Sequence, residues 1–439
     1  MLKRKIQLLM TEHFKSMTNN KILVIDGARQ IGKSYIIRFV GGKLFKNYIE
    51  INLLADSLGA QLFAHTKTVE DFYLQLSMLA GSKMGTKEDT LVFLDEIQAY
   101  PHLLTLLKFL QQDGRFTYIA SGSLLGVTLA QTESIPMGSI EIKRMYPLDF
   151  EEFLWANNFG KEAINGLRQK FLTRESLPEN IHNKVMDLFK KYLIAGGLPD
   201  AVNTYLETKN VMRVRDLQTE IQHYYAIDAS KYDTDNRLKI RKIYDMLPSN
   251  LENKKKRIVI KNIEHKTGKR SGDYEEEFEY LIQSGIALEV RAISNPVFPL
   301  LESCSKNLLK LYLNDVGLLT NVLYKNNIRA IMDDEASVNL GSVYESVVAS
   351  ELKAHGKNLF YYDNKKHGEV DFLVDDYDAL SVVPVEVKSG KDYSVHRALN
   401  SFIAIEDYHI QAAYVLSNER IISVKNKVTY MPVYYSMFL

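Results

Sequence analysis

Two short runs of residues carry types and spacings that can do chemistry. The first is Gly27-Ala28-Arg29-Gln30-Ile31-Gly32-Lys33-Ser34, which follows the apolar stretch Ile22-Leu23-Val24-Ile25 and precedes the helix-like pattern Tyr35-Ile36-Ile37-Arg38-Phe39-Val40. A strand, a loop with glycines at its two ends, and a helix opening on Lys-Ser make a cradle for phosphate, because successive backbone N–H groups and the helix N-terminus point at negative charge. On this reading Gly27 to Tyr35 line the nucleotide, Lys33 reaches the β- and γ-phosphates, and Ser34 places its hydroxyl on Mg²⁺. The second run is Thr90-Leu91-Val92-Phe93-Leu94 ending in Asp95-Glu96. About 60 residues beyond a phosphate loop, two acids at a strand end divide the labour: Asp95 holds the metal shell and Glu96 orients and polarises the attacking water. The ligands implied are ATP and Mg²⁺.

A third strand, Phe116-Thr117-Tyr118-Ile119-Ala120, ends in Ser121-Gly122-Ser123. In this kind of site such a strand lies between the other two, so its polar tip faces the γ-phosphate and makes Ser121 or Ser123 a sensor candidate. A plain Ser-Gly turn fits the same residues. Another strand over 139–145 leads to Pro147-Leu148-Asp149-Phe150-Glu151-Glu152, where Pro147 stops the strand and Asp149 with Glu152 spells a capped helix start.

The elements that position these residues belong to a chain of 439 residues, long enough for two to four domains. It is 46% hydrophobic and 25% charged, with a net charge of +1, so any grip on nucleic acid or an anionic membrane must come from a local patch. Cys304 stands alone, which excludes an intrachain disulfide or a cysteine-rich metal site and suits a reducing cytoplasm. No apolar run approaches the roughly 18 residues of a membrane span. The N-terminus turns polar too soon for a signal peptide, so a cytoplasmic protein is expected. Residues 1–20 read as a lead-in helix. The spacing of Val69, Phe72, Tyr73, Leu76 and Leu79 predicts an amphipathic helix.

Together Gly27–Ser34, Leu94-Asp95-Glu96-Ile97-Gln98 and Pro147-Leu148-Asp149-Phe150-Glu151-Glu152-Phe153-Leu154 resemble one group of prokaryotic AAA-like ATPases. So do Gly196-Gly197-Leu198-Pro199-Asp200-Ala201-Val202 and Lys310-Leu311-Tyr312-Leu313-Asn314-Asp315-Val316-Gly317-Leu318-Leu319. That group couples an ATPase to a C-terminal domain of unknown function, and the likeness spans nearly the whole chain. The resemblance implies an α/β P-loop NTPase core with a small helical lid, over residues 1–205. Where a Gly-Arg pair is expected after the sensor strand, the chain has Met137-Gly138-Ser139. An arginine finger is therefore unassigned, with Arg144 and Arg29 the nearest candidates and a homo-oligomer admitted.

From 206 to 334 the pattern is mostly helical, with Tyr224, Tyr225, Leu238, Ile240, Tyr244 and Met246 as core candidates. Helices followed by Gly285-Ile286-Ala287-Leu288-Glu289-Val290 read like a winged helix, which admits DNA, as does the basic cluster Lys254-Lys255-Lys256-Arg257 with Lys266, Lys269 and Arg270. The presumed reading helix, however, carries Glu275, Glu276, Glu277 and Glu279, which phosphates would repel. A structural or protein-contact module fits better.

Residues 335–439 hold a second constellation. Strands over 368–376 and 381–389 joined by a short link form a hairpin, and folding it about Asp378 and Ala379 sets Asp371 opposite Glu386. Glu386 and Lys388 share a face, and an upstream helix over 341–352 brings Glu345. Carboxylates of Glu345, Asp371 and Glu386 would then hold a metal ion, with Lys388 steadying a nucleophilic water. The order resembles the restriction-endonuclease-like fold, including the Holliday-junction-resolvase-like nucleases. Against it, residues 341–439 carry 10 Lys and Arg against 13 Asp and Glu, a net charge of −3 that grips a polyanion poorly. Three functions follow: an ATPase whose hydrolysis drives a conformational cycle, an ATP-gated DNA nuclease, or a nucleotide-dependent scaffold with an inactive nuclease-like tail.

Overall fold

A computed structural model describes residues 1–439 except 17–18, 127, 129–137, 230–236, 254–255, 259, 261–262, 264–270, 334–339, 365 and 391–395. The chain divides into two compact units. The first comprises residues 3–146 with Met1 and 283–285, and the second Leu2, 147–282 and 286–439.

In the first unit, helix α1 (Lys5–Lys15) precedes β1 (Ile22–Asp26), and α2 (Lys33–Leu44) leads to β2 (Asn47–Asn52). Then follow α3 (Leu53–Leu58), α4 (Val69–Ala80), β3 (Thr90–Asp95), α5 (Pro101–Asp113), β4 (Thr117–Gly122) and β5 (Ile140–Arg144). Among the described residues these strands make one parallel sheet of order β2-β3-β4-β1-β5. β1 and β3 are buried at every position, as strands covered on both faces by helices must be. The α4 helix starts at a capping box in which Thr68 and Asp71 each bond the other's backbone N–H. Its Phe72, Tyr73 and Leu76 enter the core beside Leu104 and Leu107 of α5. Leu79, expected on the same face, is exposed.

The second unit begins with α6 (Phe150–Ala156), α7 (Lys161–Thr173), α8 (Glu179–Ala195) and α9 (Pro199–Thr208). The helices from Lys161 onward cover the stretch expected to form a lid, and they belong to the second unit. Phe150 N–H donates to Glu351 at 2.8 Å, and Gly197 N–H donates to Asp315 at 2.6 Å.

Helices α10 (Val211–Ala229), α11 (Arg237–Glu252) and α12 (Glu275–Gln283) come next, then the antiparallel pair β6 (Ala287–Ile293) and β7 (Cys304–Leu313). Helices α13 (Val316–Tyr324), α14 (Arg329–Met332) and α15 (Gly341–Ala354) lead to β8 (Phe360–Asn364), β9 (Gly368–Asp376) and β10 (Ser381–Val387). The chain ends with α16 (Arg397–Ile403), β11 (Ala413–Ser417), β12 (Ser423–Lys425), β13 (Val428–Pro432) and a 3₁₀ segment, Val433–Phe438. Among the described residues all these strands join one mixed sheet of order β12-β13-β11-β10-β9-β8-β6-β7.

That sheet runs across the boundary expected at 334/335. β6 pairs in parallel with β8, so the strands read as a wing are continuous with the tail and are not a free module. Tyr225, Ile240 and Tyr244 are buried as expected, whereas Tyr224 and Leu238 face solvent. The hairpin expectation agrees with the register: Val385 pairs with Phe372, which sets Glu386 across from Asp371.

Candidate functional site

The C-terminal ends of β1, β4 and β3 lie side by side, with Asp26 paired to Gly122 and Leu94 to Ala120. The expected sensor strand therefore does run between the strand feeding the phosphate loop and the strand carrying the acids. The loop leaves β1 through Gly27, whose φ of +147° and surroundings demand glycine: a Cβ there would meet the Met145 carbonyl oxygen at 2.3 Å. Gln30 at φ 62° and Gly32 at φ 90° complete the curl before α2 begins at Lys33. Ala28 and Ile31 are buried and anchor the loop, while Gln30 and Tyr35 are exposed. Arg4 braces it from outside its sequence neighbourhood, donating to Ile31 O at 3.1 Å and to Tyr146 O at 2.6 Å.

Lys33 is buried and folded back on its own loop, its Nζ donating to Gly27 O at 2.9 Å and Ala28 O at 2.8 Å. Burial pulls its pKa down, and Glu96, Asp26 and Asp95 offset part of that. An ammonium parked on loop carbonyls, within the field of three carboxylates, is a group ready to exchange those carbonyls for phosphate oxygens.

Asp95 accepts from Ser121 Oγ and from the Ser34 hydroxyl, and its other near neighbour is Glu96. Burial raises its pKa, with the two hydroxyls acting in the opposite direction. Glu96 follows in a left-handed conformation, φ 55° and ψ 48°, which turns the chain into the one-turn 3₁₀ segment Ile97–Ala99. Its Oε2 accepts from Ser123 Oγ at 2.9 Å and from Gln98 Nε2, which also lies 3.3 Å from Ser123 Oγ. Ser121 and Ser123 are thus brought to the two acids separately, the first to Asp95 and the second to Glu96. The residues fit the metal-nucleotide pair that the motifs imply: a loop whose root at Gly27 admits only glycine, a buried lysine, and a serine and an aspartate already touching. Ser34 and Asp95 would hold Mg²⁺, which would supply neutralisation of charge on the β- and γ-phosphates.

Arg144, a finger candidate, lies against Asp26 within its own unit. At the end of β5 it sits opposite Asp26, with Nε 3.7 Å from Asp26 Oδ2. Asp26 is raised in pKa by burial, and Arg144 and Lys33 counter this. The guanidinium serves the root of the phosphate loop in its own unit. Arg29, the other candidate, is half-buried in the loop. Sequence reasoning overlooked Arg4 and Gln98. Arg4 offered only a basic N-terminal run as a signal, and Gln98 only its place two residues after Glu96.

The second constellation brings Glu345, Asp371, Glu386 and Lys388 into one electrostatic cluster. Glu345 on α15 is buried, pairs with Lys256 Nζ, and accepts from Tyr312 OH at 3.2 Å. Glu386 pairs with Lys388 at 2.6 Å, Asp371 accepts from Val387 N–H at 2.8 Å, and Glu369 pairs with the fully buried Lys310. Burial and the proximity of Asp371 raise the pKa of both Glu345 and Glu386. The lysines answer in kind: burial lowers Lys256 and Lys388, but the carboxylates more than offset it. Among the described residues no three His, Cys, Asp or Glu side chains are grouped to hold a metal ion. Of the carboxylates expected to hold a metal, Glu345 and Glu386 are paired with lysine ammonium groups here and Asp371 accepts a backbone N–H. Lys388, expected to steady a water, is taken up by Glu386. Of the basic cluster, Lys254, Lys255, Lys266, Lys269 and Arg270 lie outside the described residues, and Arg257 pairs with Asp363.

Residues 19–154 match the model of an AAA domain, 186–329 a domain of unknown function (DUF8612), and 340–435 a domain of unknown function (DUF4143). An uncharacterized protein of Methanocaldococcus jannaschii is 24% identical over 365 residues, covering 81% of this chain and 72% of that protein. Among solved structures, a Walker-type ATPase of Pyrococcus abyssi is similar at 15% identity and a TM-score of 0.45, over 73% of this chain and 95% of that one. The Saccharomyces cerevisiae Hsp104–ADP complex is similar at 13% identity and a TM-score of 0.29, over 81% and 43%. Among the described residues no helix is long and apolar enough to cross a membrane. The chain therefore carries an AAA domain in which the Gly27–Ser34 loop and the adjacent acids Asp95 and Glu96 stand at one end of a parallel sheet, which supports an ATP-binding ATPase.

Proposed function

We propose that this chain is a Mg²⁺-dependent ATPase of the AAA-like class whose hydrolysis drives a conformational change in its C-terminal unit. The observation that carries the reading is the convergence of Lys33, Ser34, Asp95 and Glu96 at the ends of β1 and β3. In the reaction Lys33 leaves the carbonyls of Gly27 and Ala28 for the β- and γ-phosphates. Glu96 orients water and takes its proton as the water oxygen bonds to the γ-phosphorus and the bond to the ADP oxygen breaks. Ser121 steadies Asp95 throughout.

The effector acts through protein contacts rather than DNA. Lys256 and Arg257 are spent on Glu345 and Asp363, and α12 opens with Glu275, Glu276 and Glu277. Phosphate backbones need unpaired cations, and these are paired. The nuclease reading is weakened in the same way, since lysines pair with two of its three carboxylates, Glu345 and Glu386; a homo-oligomer and a cytoplasmic setting are part of the proposal. The test is hydrolysis by the full chain with and without Mg²⁺. Glu96→Gln should bind ATP normally and lose at least a hundredfold in kcat, because phosphate contacts survive while the water loses its base. Wild-type turnover in that variant would refute the assignment.

A further inference from the structure

The two donors on Glu96 come from different elements and meet on one oxygen. Ser123 follows β4 and is 1% exposed; Gln98 lies in the 3₁₀ turn after β3 and is 8% exposed. Both reach Glu96 Oε2, and they approach each other at 3.3 Å. A carboxylate tethered twice at one oxygen cannot spin about its terminal bond, so the plane of the group and the direction of its second oxygen are set before substrate arrives. The Gln98 side chain lies against Gly122: its Oε1 stands 2.8 Å from where a Cβ on that residue would be, so a glycine at 122 is what leaves it this pose. That oxygen is itself buried and makes no hydrogen bond among the described residues, so the polar contacts that hold the side chain run through Nε2 to Glu96 and Ser123. The left-handed backbone at Glu96 is what folds Gln98 back toward the carboxylate it follows.

We infer that Gln98 is a positioning residue for hydrolysis, which with Ser123 fixes the Glu96 carboxylate so that its Oε1 faces the attacking water. The inference rests on the ATPase reading of the same site, and the two fail separately. If the full wild-type chain does not hydrolyse ATP with Mg²⁺, the ATPase reading falls and Gln98 has nothing to position. If it does, Gln98→Met decides the matter. Methionine keeps the length of the side chain, removes the donor and also removes the unpaired buried oxygen, while Ser123 still bonds Glu96, so the fold should hold.

The expected result is a fall in kcat of about tenfold to a hundredfold, the span of one charge-assisted hydrogen bond, with nucleotide Kd within about threefold of wild type. Ser123→Ala should show the same split. The double variant Gln98→Met with Glu96→Gln should be no slower than Glu96→Gln alone, because a residue that acts only through Glu96 has no effect once the carboxylate is gone. An unchanged or raised kcat in Gln98→Met, a parallel loss of binding, or full additivity with Glu96→Gln would each overturn the inference. A melting curve of Gln98→Met that matches wild type accompanies the measurement, and Ser123→Ala carries the test should it not match.

Discussion

Replacing Lys33 with methionine tests the phosphate loop at its most charged point. In the described structure the ammonium is buried on Gly27 O and Ala28 O, so binding nucleotide is an exchange and not a simple gain. Two bonds to neutral carbonyls, each contributing about 1 kcal/mol, give way to two bonds to phosphate oxygens at about 2 kcal/mol each. The net is about 2 kcal/mol, or about thirtyfold in Kd. Removing the charge also leaves Asp26 and Asp95, whose pKa values burial already raises, without a cation that had lowered the one and balanced the other. Those acids then meet the incoming triphosphate less neutralised, which acts in the same direction. Against this, the nucleotide-free variant no longer buries an ammonium, so its stability should stay near that of wild type. Titration with a fluorescent ATP analogue, beside thermal melts without nucleotide, reads both quantities. A Kd within twofold of wild type would refute the exchange, and a collapse of the nucleotide-free melt would show that the lysine is chiefly structural.

Two further outcomes concern the second unit. Asp315 is buried, its carboxylate accepts from Gly197 N–H at 2.6 Å and Leu318 N–H at 3.0 Å, and burial pushes its pKa up to about 6 from 3.8. The folded state therefore holds that proton more tightly than the unfolded chain. Its contribution to stability is greatest below about pH 4 and falls by about 3 kcal/mol as pH rises through 6, then levels. Urea denaturation at stepped pH should show wild type losing about 3 kcal/mol of stability relative to Asp315→Asn as pH rises from 4 to 6.5; a constant difference or one of opposite sign sinks the assignment. Lys388→Ala should cost about 1–2 kcal/mol, since Glu386 can take up a proton when its partner is lost, and should leave ATP hydrolysis unchanged. Metal-dependent DNA cutting by the wild-type chain, abolished by that substitution, would restore the nuclease reading.

How much of this was legible in the sequence depends on how local the determining contacts are. The phosphate loop is contiguous, and the run from Ile22 to Ser34 states its own strand, turn and helix. Asp95 and Glu96 are adjacent. The pairing of Asp371 with Glu386 spans a hairpin whose link is short enough to leave few registers, so folding it on paper sufficed. What stayed hidden has long reach or depends on a backbone twist. Arg4 bonds residues 27 and 142 positions away. Gln98 would share a face with Glu96 on a continuing strand; it reaches the carboxylate because the strand ends in a left-handed residue, which no side-chain pattern announces.

The helices from Phe150 to Thr208 expose the deeper reason. An amphipathic pattern says that one face must be buried and is silent about which core buries it. Phe150, Phe153 and Tyr192 would satisfy a lid as well as they satisfy the second unit. The choice is made by polar groups far apart in sequence: Glu351 accepting from the first turn of α6, and Asp315 accepting from Gly197 while capping α13. The strings Gly196-Gly197 and Asn314-Asp315-Val316-Gly317 that carried the family resemblance are therefore two halves of one contact. Gly196 is held to glycine by Asp315 and Gly317 by Gln218 and Gly196, because a Cβ on Gly196 would lie 2.2 Å from the Asp315 carboxylate and one on Gly317 2.4 Å from Gln218 Nε2 and 2.7 Å from Gly196 N. A motif that seemed to mark a helix stop marks instead the place where 118 residues of chain close on themselves.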